Sequence, residues 1–192
     1  MGERLVVKIN NGGKDFAAIY YHWGAYTVDA LRIVQRIINA LGNYEKKSEE
    51  QIQLDLIQMC ERDGGGVEYD DIQYVSHKLH CNFKHDNISR NDGLIAISPE
   101  GVSQMGQWAT PIHIDLHNKV IDNYVFDSFS SYKEYCDYCD EWELDAEPYD
   151  SIKRISCDLA YFSFEELPIL YMELDNSDYI VKHDDTIYTL IA

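Results

Sequence analysis

The chain is short of positive charge. Its 192 residues include 16 lysines and arginines against 34 aspartates and glutamates, a formal net charge of −18. That balance disfavours general, direct binding to DNA or RNA, because the phosphate contribution to affinity needs an excess of Lys and Arg. The same field opposes docking on an anionic membrane surface. Long apolar runs are missing: none approaches the roughly 20 residues that span a bilayer. The opening MGERLVVK has neither the apolar stretch nor the cleavage site of a signal peptide. No glycine-rich phosphate loop follows the first β-branched run, which argues against a Rossmann-type sheet. No G-x-S-x-G occurs, and no cysteine has an obvious base beside it in sequence, so nucleophilic catalysis has no support. The five cysteines, Cys60, Cys81, Cys136, Cys139 and Cys157, are an odd, scattered set. They read as reduced thiols of a cytoplasmic protein rather than as a disulfide framework.

Material for a core is present. Hydrophobic residues make up 45% of the chain and aromatics 12%, whereas a disordered acidic chain is poor in aromatics. The length suits one domain spanning 1–192, and the polar run at 86–92 is the place where a sub-boundary fits.

Arg4 to Asn10 reads as a strand, Asn11-Gly12-Gly13 as a hairpin turn, and Asp15 to Trp23 as the partner strand. Thr27 is a partial cap for a helix whose apolar set is Val28, Leu31, Val34, Ile37, Ile38 and Leu41, with Gly42 at the C-terminal end. The opening is therefore ββα. Ser48 with Gln51 forms a capping box for a second helix, and Asp70 or Asp71 caps a third. Lys84 to Asp92 is a polar loop. Gly93 to Ser98 is a short strand, and Ser98-Pro99-Glu100 starts a helix that ends near Trp108. Pro111 to Leu116 and Val120 to Phe126 read as strands, Ser130 or Ser131 as the start of an acidic helix reaching about Trp142, and Ile155 to Phe162 as one strand. Ser163 with Glu166 is another capping box, before a helix that Pro168 keeps short or kinked. A terminal hairpin turns at Asp184-Asp185. Roughly seven strands and five helices in mixed order give an α+β fold: a mixed, mainly antiparallel sheet with helices packed on it.

The charge is uneven. Residues 122–192 carry 18 acidic and 4 basic side chains. The densest piece runs from Glu134 to Asp150, with eight carboxylates and no cation. Tyr135, Tyr138, Trp142 and Tyr149 are interleaved with the acids. Such a face either stays in water or meets a cationic partner. The second reading makes Glu134, Asp137, Tyr138, Asp140, Glu141, Trp142, Glu143 and Asp145 a partner-binding surface. Carboxylates stand in there for phosphates and aromatics for stacked bases.

Cys136-x-x-Cys139 with His113-x3-His117 invites a zinc reading, but order and spacing match no zinc module. Redox chemistry needs positive surroundings, and Glu134, Asp137, Asp140 and Glu141 supply the opposite. His77, His80 and Cys81 share a helix face, with His85 beyond, and read first as ordinary surface residues. No cofactor, metal or catalytic residue is assigned. Tyr20-Tyr21-His22-Trp23-Gly24-Ala25-Tyr26 is the most distinctive stretch. Tyr20, Trp23 and Tyr26 either seat the helix on the sheet or, with His22, frame a small pocket.

The opening MG-x-R, the first strand and the Y-x-H-W-x-G-Y-type corner, here running H-W-G-A-Y before an amphipathic helix, resemble small phage, prophage and mobile-element proteins. The resemblance covers about the first 42 residues. It implies a setting rich in acidic inhibitors of host defence, including anti-CRISPR proteins and nucleic-acid mimics, and supplies no catalytic residue. The expectation is a non-enzymatic interaction protein that blocks a host protein with a basic nucleic-acid-binding groove. The alternatives are an immunity protein or antitoxin against a basic toxin, and a small metal-dependent enzyme.

Overall fold

The computed structural model describes residues 4–25, 27–83, 93–109, 111–122, 126–174, 180–182 and 186–191. Two extended runs meet at Gly12 and Gly13, whose φ angles of 63° and 82° suit residues without a Cβ. Strand β1 (Leu5–Asn11) thus pairs antiparallel with β2 (Lys14–Tyr21). The register shifts between Ile9 and Asn10, which leaves Phe16 outside the pairing. Its carbonyl accepts a 2.8 Å hydrogen bond from the buried Gln53 side chain instead. A polar residue in the core thereby satisfies a bulge in the central ladder.

Helix α1 (Thr27–Leu41) stops at Gly42, at φ 53°. Helix α2 (Glu49–Arg62) starts where Ser48 Oγ accepts from the Gln51 amide at 3.2 Å. Strand β3 (Gly66–Val67), helix α3 (Ile72–Leu79) and strand β4 (Leu94–Ala96) follow. Ser98 Oγ accepts from Gly101 N at 2.9 Å and caps α4 (Pro99–Met105). Next come β5 (Pro111–Asp115), β6 (Val120–Asp122), β7 (Phe126–Phe129), α5 (Tyr132–Glu141), β8 (Arg154–Ile155) and β9 (Tyr161–Ser163). The chain continues through α6 (Leu167–Leu174), β10 (Ile180–Lys182) and β11 (Thr186–Ile191).

Seven strands form one sheet in the order β3-β4-β2-β1-β5-β6-β9. Its β1–β2, β2–β4, β5–β6 and β6–β9 pairs are antiparallel, and β1–β5 and β3–β4 are parallel. A second sheet runs β10-β11-β7, with β8 also paired to β11. The fold is α+β, with a mixed, mainly antiparallel main sheet and a ββα opening, as expected. Strands from both sides of 86–92 belong to the same sheet. Leu5, Val7, Ile9, Ile19, Ile112, Ile114 and Ile121 line one face and pack with residues of α1, α2 and α6 in the main core. The other face, with Val6, Ala18, Tyr20 and Ala96, packs under Val102 and Met105 of α4. Among the described residues no helix is long and apolar enough to cross a membrane.

Four local expectations are corrected. Val120 to Phe126 is not one strand: β6 joins the large sheet and β7 the small one. Ile155 to Phe162 splits in the same way into β8 and β9. Strands of two to four residues are too short to display a period, so the residue pattern does not mark the change of sheet. Asp71 stands at the start of α3 but does not cap it. It is 3% exposed, and its Oδ2 accepts from Ile97 N at 2.7 Å and Ser98 N at 3.0 Å, tying the start of α3 to the end of β4. Helix α4 ends at Met105, and Gln107 and Trp108 continue as turns. Pro168 is accommodated without a kink because it is the second residue of α6, where its missing N–H has no helical acceptor. The capping box before it closes with Ser163 N donating to Glu166 Oε2 at 2.7 Å and Glu166 N to Ser163 Oγ at 3.3 Å.

Candidate functional site

Helix α5 is built from its ends. Ser131 Oγ accepts from Glu134 N at 3.2 Å, and the Glu134 carboxylate reaches back to Ser130, accepting from its amide at 2.9 Å and its hydroxyl at 2.5 Å. Those donors hold the Glu134 carboxyl below the usual range. At the other end Leu144 N donates to Cys139 O at 2.8 Å and Glu143 N to Asp140 O at 3.3 Å. This is a Schellman closure with Glu143 in the left-handed conformation at φ 53°. Glycine ordinarily takes that position, since a side chain there costs about 1 kcal/mol or more.

The inner stripe of α5 is Tyr135 and Cys139, both fully buried, against Phe129, Ile152 and Leu190. Tyr135 packs edge-on to Phe129 with ring centres 5.5 Å apart, and its hydroxyl accepts from Glu147 N at 3.2 Å. Glu134, Asp137, Asp140, Glu141, Glu143 and Asp145 are all exposed, with Lys133 reaching Asp137 one turn on. Trp142 is 55% exposed at the helix end, its ring 6.2 Å from half-buried Tyr138, which itself rests on Phe129 at 5.4 Å. Of the eight residues expected to form a partner surface, seven are exposed and Tyr138 is the support beneath Trp142. The interleaved aromatics divide: Tyr135 belongs to the core, and Tyr149 lies under the Arg154 guanidinium at 4.3 Å.

Burial pushes the Tyr135 phenol up to about 12, and burial likewise raises Tyr21. An unfolded tyrosine ionises near pH 10. From pH ~10 upward the unfolded chain loses protons that the folded chain keeps, so stability is intact below pH ~10 and falls as pH rises towards about 12. Urea midpoints measured from pH 9 to 11 should drop above 10. Tyr135→Phe should flatten that drop, and an unchanged slope in the variant would remove Tyr135 as its source.

The cysteine and histidine sets do not assemble. Cys139 is sealed in the small core and Cys136 is partly buried beside it, whereas His113 lies on β5 in the other sheet and His117 just beyond it. His80 adopts φ 54° after the last residue of α3, so the shared helix face of His77, His80 and Cys81 is not formed. Among the described residues no group of three or more His, Cys, Asp and Glu side chains could hold a metal ion. His85 and the 84–92 loop lie outside them.

The aromatic corner is divided: the strand's period of two sends Tyr20 and Tyr21, the last residues of β2, to opposite faces, and His22 and Trp23 lie just beyond the strand. Tyr20 is buried under α4 with Trp108, ring centres 5.0 Å apart, and its hydroxyl is 2.8 Å from His22 Nδ1. Trp23 is 49% exposed and lines a cleft with Tyr21, Arg32, Arg36, Asp63 and Tyr171. Tyr26 lies outside the described residues. Gly24 is needed for the corner, because a Cβ there would stand 2.9 Å from Ile33 Cδ1 and 3.2 Å from Tyr21 Cβ. Neither the guanidinium pair of that cleft nor the conformation of Glu143 entered the sequence reading. The i, i+4 spacing of Arg32 and Arg36 was a signal for the first, and none exists for the second. Comparison of the chain with protein-family models, with curated proteins and with solved structures gives no match to any of the three.

Proposed function

We propose that this protein is a non-enzymatic inhibitor that docks the outer face of α5 and the following turn on the cationic groove of a nucleic-acid-processing or defence protein. The observation that carries the reading is the αL conformation of Glu143 beside a half-exposed Trp142. A glycine would close the helix at lower cost, yet the position holds a carboxylate and presents it next to an aromatic anchor. Glu134, Asp137, Asp140, Glu141 and Asp145 extend the same negative surface along α5 and beyond. Its field steers a basic groove into contact, and the desolvated tryptophan supplies the anchor. The phage-like opening points to a bacterial host protein as the target.

Capture from host lysate on the intact protein, followed by titration of the captured partner, tests this. Replacing Asp137, Asp140, Glu141 and Glu143 together by Asn and Gln should leave folding intact and weaken binding at least tenfold, about 1.4 kcal/mol. Affinity should fall steeply between low and physiological salt. A folded quadruple variant that binds at wild-type strength sinks the assignment. Glu143→Gly separates function from folding: it should raise stability by about 1 kcal/mol while reducing affinity. A stabilised variant with undiminished binding would leave the strained glutamate without the role given to it. Capture of a secreted basic toxin rather than a nucleic-acid-processing protein would move the reading to an immunity protein.

A further inference from the structure

The cleft beside Trp23 has a volume of about 480 Å³, within the range of small-molecule sites. It runs along α1 and is closed by the end of β2, by Asp63 after α2 and by Tyr171 of α6. Arg32 and Arg36 stand one turn apart on α1, which brings two guanidinium groups to the same wall. Neighbouring groups orient both. Arg32 Nε donates to Tyr171 Oη at 2.8 Å, its Nη1 lies 3.3 Å from Asp29 Oδ1, and the guanidinium sits 5.5 Å from the Tyr171 ring centre. Arg36 Nη1 lies 3.3 Å from Asp63 Oδ2. Both arginines are about half exposed, so these ion pairs hold the guanidinium planes at little energetic gain of their own.

We infer that this cleft binds a nucleoside monophosphate, its base on the exposed face of Trp23 and its phosphate on the Arg32–Arg36 pair. A half-exposed indole beside a guanidinium pair offers the two things such a ligand carries, a planar π-face and a compact anion. The side-chain amides of Gln35 and Asn39, on the same stretch of α1, are donors and acceptors for the sugar or base edge. The cleft also limits charge. Asp29 and Asp63 flank the arginines, and the whole chain carries −18. Each added phosphate would meet those carboxylates, so monophosphates should be preferred to triphosphates and to nucleic-acid strands. None of these residues belongs to α5 or its following turn, so the inference does not depend on the inhibitor reading.

Calorimetric titration of the full chain with AMP, GMP, CMP and UMP at about 150 mM salt tests it. At least one monophosphate should bind tighter than about 1 mM. The matching nucleoside, the triphosphate and inorganic phosphate should each bind at least tenfold more weakly. Trp23→Ala and Arg36→Gln, both at exposed positions, should each reduce affinity at least tenfold, and Trp23→Phe should keep most of it. The quadruple α5 variant should bind as wild type. Failure of all four monophosphates, binding unchanged in Trp23→Ala and Arg36→Gln, or equal binding of inorganic phosphate or the triphosphate would each overturn the inference.

Discussion

Replacing Asp71 by alanine should be the most damaging loss of a single carboxylate in this carboxylate-rich chain. Its Oδ2 accepts from two buried main-chain amides, Ile97 N and Ser98 N, at the junction of β4 and α4. Bonds to an ionised acceptor contribute about 1.5–3 kcal/mol each, and alanine leaves both amides without a partner. The expected loss is about 3–5 kcal/mol, roughly a fifth or more of the total stability typical of a domain. Asp71→Asn keeps an oxygen in place and should cost less than half as much. Urea unfolding of both variants decides the matter. A loss below about 1 kcal/mol in Asp71→Ala would show that other groups or water hold those amides.

Tyr135→Ala should remove about 3–5 kcal/mol, the usual range for emptying a large buried aromatic site. The ring is fully buried between Phe129 and Tyr132 and forms the main seat of α5 on the small sheet. Tyr135→Phe keeps the packing and loses the hydroxyl with its bond from Glu147 N, about 1 kcal/mol. If α5 carries the binding face, Tyr135→Ala should also weaken partner capture although Tyr135 itself is inaccessible. Equal stability losses in the two variants would mean that the hydroxyl, not the ring, holds the helix.

The elements whose signals are local were legible in the sequence. The Asn11-Gly12-Gly13 turn, the serine caps at 48, 98 and 131, and the helical stripe from Val28 to Leu41 each depend on residues within four positions of one another. Sheet membership is a long-range property. Nothing in Val120 to Phe129 marks where the chain leaves one sheet for the other, because both strands are too short to show a period. Asp71 looked like a cap because Asp before a helix is one, and its acceptor role depends on residues 26 and 27 positions away. At the aromatic corner strand alternation sends Tyr20 and Tyr21 to opposite faces, and β2 ends at Tyr21, before His22 and Trp23.

The first hairpin lies in the middle of the seven-stranded sheet, not at its edge. During synthesis β1 and β2 emerge before the strands that flank them: β2 acquires its outer neighbour only with Leu94, and β1 pairs Val6 with Pro111 about a hundred residues later. At ordinary elongation rates the nascent hairpin therefore waits roughly 4–15 s with unpaired backbone on both flanks. Its strands Leu5–Asn11 and Lys14–Tyr21, buried along most of their length in the finished protein, are in that interval an exposed template for misassociation on the ribosome.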